Sequence, residues 1–140
     1  MTYDFSVNSG QVGPNAPLDW VRANVEYLTE TVEDRSKILL GLNFYGMMYK
    51  VDTQGRPVAQ PEHILGSKLI ELLKKNFVEI IFEEKIQEHL FILKGSGSQY
   101  LVFYPTLYSI KKRIELSQEL GTGLSIWELG QGLDYFYDLL

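Results

Sequence analysis

Apolar and polar positions change their period several times along the chain, and each change marks an element. Lys37–Tyr45 carries Ile38, Leu39, Leu40, Leu42 and Phe44 in a near-continuous apolar run. A strand buried on both faces has this pattern, as in parallel sheets covered by helices. Leu124–Trp127 has the same character near the other end. Elsewhere the apolar positions take helical spacing. Leu18, Val21, Val25 and Leu28 predict a helix over Leu18–Glu33, with Pro17 harmless in its first turn. Ile64, Leu65, Leu69, Leu72 and Leu73 predict another over Pro61–Asn76. Leu107, Ile110 and Ile114 predict a third over Thr106–Leu120, capped by Thr106 and stopped by Gly121. Three short strands, Val78–Phe82, His89–Leu93 and Tyr100–Tyr104, follow one another locally, with Gly95-Ser96-Gly97-Ser98 as a hairpin loop between the last two. Met1–Phe5 reads as an opening strand, Ser6–Pro17 as a loop, Tyr49–Gln60 as a polar, turn-like stretch, and Leu133–Leu140 as a short aromatic-rich helix packed on the rest.

Three buried strands therefore alternate with two helices, and one α+β excursion interrupts the second connection. The fold class is α/β, with the alternation of a (β/α)8 barrel but three strands in place of eight.

Size and composition narrow the function classes. The 140 residues suit one domain of ordinary size, and 45% hydrophobic with 22% charged residues is globular composition. A formal charge of -5 with dispersed basic residues argues against nucleic acid as a partner. The densest basic run, Lys111-Lys112-Arg113, reads as a solvated helix face. There is no cysteine, hence no disulfide, thiol nucleophile or thiolate metal site. No apolar stretch approaches the roughly 18 residues of a membrane span, and no signal peptide is visible.

Candidate chemistry concentrates at strand tips. Met1–Phe5 and Leu124–Trp127 each deliver an aromatic beside a polar group, the arrangement of a sugar-binding floor at the top of a parallel barrel. From the residues alone, Tyr3 and Asp4 read first as strand-end groups that satisfy nearby backbone, and Trp127 as plain core. Glu83-Glu84 sits in an extended segment, where neighbours point to opposite faces, and reads as a solvated turn. Glu128 either reaches the cleft or caps the final turn. His63 and His89 lie in different elements without ligand-like spacing, so no metal is expected and no cofactor is called for. Gly130 and Gly132 do not complete a phosphate-loop pattern.

Three of these segments carry a resemblance. Met1-Thr2-Tyr3-Asp4 resembles the Met-x-Tyr-Asp motif on strand six of glycoside hydrolase family 18, the chitinase family. Gly41-Leu42-Asn43-Phe44-Tyr45-Gly46 is similar to that family's strand seven, and Trp127 to the tryptophan ending strand eight. Arg35–Tyr45 and Gly123–Leu140 resemble its chitinase-like branch in particular. The resemblance implies the C-terminal part of a (β/α)8 barrel, about strands six to eight: residues 1–46 and 106–140 as barrel segments, and residues 47–105 as an α+β insertion between strands seven and eight. Hydrolysis in that family is assisted by the substrate's own acetamido oxygen, with a glutamic acid protonating the leaving group. The Asp-x-x-Asp-x-Asp-x-Glu motif that supplies this acid is not in the sequence. The resemblance thus implies saccharide binding without catalysis by this chain. Tyr3 would donate to an acetamido oxygen, Asp4 would accept from a sugar hydroxyl or acetamido N–H, Trp127 would form the floor and Tyr45 the rim.

The expected partner is a chitooligosaccharide or related N-acetylated glycan, with neither nucleic acid nor membrane. A hydrolase of chitin or peptidoglycan completed by other segments, and a module in which the insertion binds a receptor protein, are the alternatives. The implied location is secreted or lysosomal. The resemblance further implies a piece of a larger barrel, whose open sheet edges would make it poorly soluble or self-associating.

Overall fold

The computed structural model describes residues 1–95 and 98–140. It contains α1 (Leu18–Leu28), α2 (Val32–Arg35), β1 (Leu39–Asn43), β2 (Gly46–Val51), β3 (Glu62–Ile64), α3 (Gly66–Lys75), β4 (Phe77–Glu83), β5 (Glu88–Gly95), β6 (Ser98–Tyr104), α4 (Leu107–Leu120), β7 (Gly123–Trp127) and a terminal 3-10 helix (Asp134–Leu139). Two sheets result. β1 and β7 pair in parallel, with Leu40 opposite Leu124 and Leu42 opposite Ile126. The other sheet is antiparallel, in the order β3-β2-β6-β5-β4. The expected hairpin loop falls on residues 96 and 97, outside the described residues.

The apolar run of β1 buries Leu40 and Leu42 completely. Each such side chain contributes about 1.5–3 kcal/mol by leaving water. α1 turns Val21 and Val25 into the core, and α4 buries Ile110, Arg113, Ser117 and Leu120 along one stripe. α4 is bounded as its sequence predicts. The Thr106 hydroxyl accepts from the Ser109 N–H in a reciprocal capping box, and Gly121 ends the helix at φ 73°, in the left-handed region that favours glycine. Phe136 of the 3-10 helix is fully buried, edge-on to Phe44 at 5.3 Å.

Several expectations are corrected. Residues 1–5 form no strand. Asp4 takes a left-handed conformation (φ 64°), the chain turns away, and it is the Thr2 hydroxyl that bonds to the Gly41 carbonyl. The helix expected over Leu18–Glu33 stops at Leu28, whose side chain is exposed, and restarts as one turn behind a Thr31 cap. Lys37–Tyr45 is not one strand: β1 ends at Asn43, the Phe44 N–H bonds to the Trp127 carbonyl, and the chain turns straight into β2. The stretch read as turn-like from Tyr49 thus begins inside a strand, whose Met47, Tyr49 and Val51 are core residues. Pro61–Asn76 opens as the edge strand β3, and its helix starts only at Gly66, where the N–H bonds to the Gln131 carbonyl. Arg113, read as part of a solvated face, is buried against Glu88. No helix among the described residues is long and apolar enough to cross a membrane.

Candidate functional site

At the C-terminal ends of β1 and β7 the chain leaves a groove of about 440 Å³, lined chiefly by Tyr3, Asp4, Tyr45, His63, Trp127 and Gln131. The volume is in the range of small-molecule sites. Tyr45 stands just beyond β1. Trp127 ends β7, where the next peptide, to Glu128, is cis. Tyr3 and Asp4 arrive on the opening segment. The four residues singled out from sequence thus share one concavity. The Tyr3 ring lies 6.2 Å from the Trp127 ring and 6.1 Å from the Tyr45 ring.

These side chains differ in exposure. Tyr3 and Tyr45 are buried, whereas Trp127 is 51% exposed, so its indole is not core. A half-exposed aromatic face in a concave site is suited to stacking on the C–H face of a ring-shaped ligand. The Tyr45 hydroxyl donates to Asp4 Oδ1 at 2.7 Å. Burial, then that carboxylate, pushes the Tyr45 phenol well above its ordinary range; burial and Asp4 push Tyr3 the same way. Both phenols therefore stay protonated donors at any physiological pH.

His63 is the residue that sequence spacing did not flag. β3 brings it to the groove, with its Nε2 3.6 Å from Asp4 Oδ1 and its ring edge-on to Tyr45 at 5.0 Å. Its alternation with Ile64 is the signal of the short strand β3, inside a segment whose apolar spacing predicts a helix. Glu83 and Glu84 are exposed and away from the groove, as expected. Glu128 accepts from the Gln131 side chain across the final turn. Lining the groove among the described residues are thus one carboxylate, one carboxamide, two protonated phenols, an imidazole and an open indole. The set offers hydrogen bonds of both polarities around an apolar platform, and Asp4 is its only carboxylate.

A buried network lies behind Asp4. Asn15 is 2% exposed, and its Oδ1 accepts from the Asp4 N–H at 2.7 Å. Its Nδ2 donates to the Tyr45 carbonyl at 3.4 Å, which also accepts from Asn43 Nδ2 at 2.8 Å. The Asn15 N–H donates to Glu88 Oε2 at 3.0 Å. Glu88 Oε1 accepts from the Ala16 N–H and from Arg113, whose guanidinium also donates to the carbonyls of Ala16, Gln87 and Ser109. Burial pushes the Glu88 carboxyl up, against the opposing pull of Arg113 and the two backbone donors.

The sequence model of glycosyl hydrolases family 18 matches residues 1–132. Among solved structures, the chain is similar to the spore cortex-lytic enzyme SleL of Bacillus cereus, with 26% identity and a TM-score of 0.82, over 99% of this chain and 33% of that one. SleL of Bacillus megaterium QM B1551 gives 27% identity and 0.82, over 99% and 32%. A chitinase from Chromobacterium violaceum ATCC 12472 shares the fold at 23% identity, TM-score 0.83, over 99% and 42%. The chain spans about a third of the length of the two SleL enzymes.

Proposed function

The chain belongs to glycosyl hydrolase family 18, and from that premise we propose that its groove binds N-acetylglucosamine oligomers and does not hydrolyse them by itself. The observation that carries the reading is the convergence of a half-exposed indole, the Tyr45–Asp4 pair and the Tyr3 phenol on one concavity. In this reading Trp127 is the floor for a sugar ring, and Tyr3 donates to the acetamido oxygen. Asp4 uses the carboxylate oxygen not taken by Tyr45 to accept an N–H or O–H from the sugar, and Tyr45 orders the rim. Among the described residues that line the groove Asp4 is the one carboxylate, and it is already bound by a phenol, so the groove holds no second carboxyl to protonate a leaving oxygen.

The fold is read accordingly. β1 and β7 correspond to strands seven and eight of a (β/α)8 barrel, residues 1–46 and 106–140 to barrel segments, and residues 47–105 to the insertion. The parallel β1–β7 pairing and the share of SleL that the chain covers support this. The likeness of Arg35–Tyr45 and Gly123–Leu140 to the chitinase-like branch, which includes chitinase domain-containing protein 1, supports the non-hydrolytic side.

A second reading is favoured by the similarity to two lytic enzymes: the groove is half of a hydrolytic site whose acid lies on other segments. Calorimetric titration with a chitooligosaccharide, alongside an assay of released reducing ends, separates the two. Saturable heat without release supports binding alone. Release by the 140-residue chain contradicts it. Trp127→Ala is expected to weaken binding at least tenfold, in line with loss of one aromatic stacking contact of about 1–1.5 kcal/mol plus its buried area.

A further inference from the structure

We propose that Asn15, anchored by the buried Glu88–Arg113 pair, is the positioning residue that sets the geometry of the saccharide-binding groove. The proposal rests on the reading of the groove given above. Its starting point is that neither half of the Asp4–Tyr45 hydrogen bond is held by its own element. Asp4 lies outside any strand, at a φ of 64° that non-glycine residues rarely hold without support. Tyr45 sits in the two-residue turn between β1 and β2.

Asn15 supports both at once. One end of its carboxamide takes the Asp4 N–H, and the other gives a proton to the Tyr45 carbonyl. Its own carbonyl accepts from the Phe5 N–H at 2.9 Å, closing the turn that follows Asp4. A carboxamide is the side chain able to accept and donate across this gap. Those two bonds fix its plane, and its backbone N–H is held in turn by Glu88 of β5. Glu88 is fixed by Arg113 of α4, which ties the same loop through the Ala16 carbonyl. The line therefore runs from α4 and the antiparallel sheet, through one buried amide, to the two side chains that meet the sugar. Buried hydrogen-bonded groups of this kind hold a single geometry because an unpaired partner in the interior is costly.

The test is a double-mutant cycle in the 140-residue chain, read by titration with a chitooligosaccharide. Asn15→Ala is expected to weaken binding about tenfold, the size of one lost hydrogen bond to a charged or ordered partner. In an Asp4→Ala background the same substitution is expected to weaken it less than about twofold, because Asn15 acts through Asp4. Equal losses in both backgrounds would overturn the proposal and leave Asn15 a structural residue only. Where Asn15→Ala does not fold, the isosteric Asn15→Asp, which keeps the acceptor for the Asp4 N–H and removes the donor to the Tyr45 carbonyl, is cycled instead against Tyr45→Phe, with the same criterion. If the native chain takes up no chitooligosaccharide, the reading of the groove fails, and the positioning role is decided separately by the carbon-13 resonance of the Tyr45 ζ carbon. Asn15→Ala (or Asn15→Asp) and Glu88→Gln should each displace that resonance, and Lys111→Ala should not. A resonance unmoved by the Asn15 and Glu88 substitutions would overturn the role outright.

Discussion

Tyr45 and Glu88 show how burial decides what a side chain does. The Tyr45 phenol is raised by burial and by the Asp4 carboxylate, so the folded chain holds its proton more tightly than the unfolded chain. The stability this contributes is complete below about pH 10, the ordinary phenol value, and is lost as pH rises toward the elevated folded value. Tyr3, Tyr49 and Tyr104 share the direction. Urea midpoints measured from pH 8 to 11 should therefore fall as pH rises, and Tyr45→Phe should make the fall shallower. A midpoint that holds or rises over that interval would contradict the assignment. Glu88 carries the larger single effect. Glu88→Ala leaves the Arg113 guanidinium, 4% exposed, without its carboxylate, and is expected to cost about 3–5 kcal/mol in urea unfolding. Nothing local in the sequence marks this pair. Glu88 and Arg113 are 25 positions apart, and Arg113 sits in a run of three basic residues that looks solvated until the burial stripe of α4 is seen.

At the scale of elements, α4 was legible because its signals are local: a cap at Thr106, an apolar stripe, and a glycine just past the end. Thr106→Ala is expected to cost about 1 kcal/mol by leaving the first-turn N–H of Ser109 unpaired. Gly121→Ala is expected to cost a similar amount, about 1 kcal/mol. An added Cβ there meets nothing within 4 Å, so the cost is the left-handed backbone alone. Calorimetric melts of the two variants test both values. Where elements were misread, the deciding interaction was remote. The run Lys37–Tyr45 breaks after the Phe44–Trp127 bond, the last of the parallel pairing, because the chain from Met47 pairs instead with β6, more than 50 positions on. Met1–Phe5 fails as a strand because Asn15 pulls Asp4 into a turn. β3 was hidden because it pairs with the start of β2, Gly46–Met48, a stretch whose pattern predicts no element.

At the scale of the molecule, β7 pairs with β1 on one side, and Leu39 and Trp127 at the ends of this pair are exposed. A sheet of two strands among the described residues, with exposed apolar tips, is a surface for self-pairing. Sedimentation of the 140-residue chain is expected to show concentration-dependent association, and a monomer at all concentrations would contradict that. The groove was legible in part. Tyr3, Asp4 and Trp127 were visible as aromatic and acidic positions at segment ends and Tyr45 through the family resemblance, and the structure brings them together. His63 and the support of Asn15, Glu88 and Arg113 were not visible, because they reach the site from the antiparallel sheet, α4 and the loop before α1. The most direct test of the groove as a saccharide site is the fluorescence of Trp127 in a Trp20→Phe variant, followed during titration with an N-acetylglucosamine oligomer and, separately, a glucose oligomer of equal length. The account predicts a saturable blue shift with the acetylated oligomer and little response to the other. No response to either, or the same response to both, would contradict it.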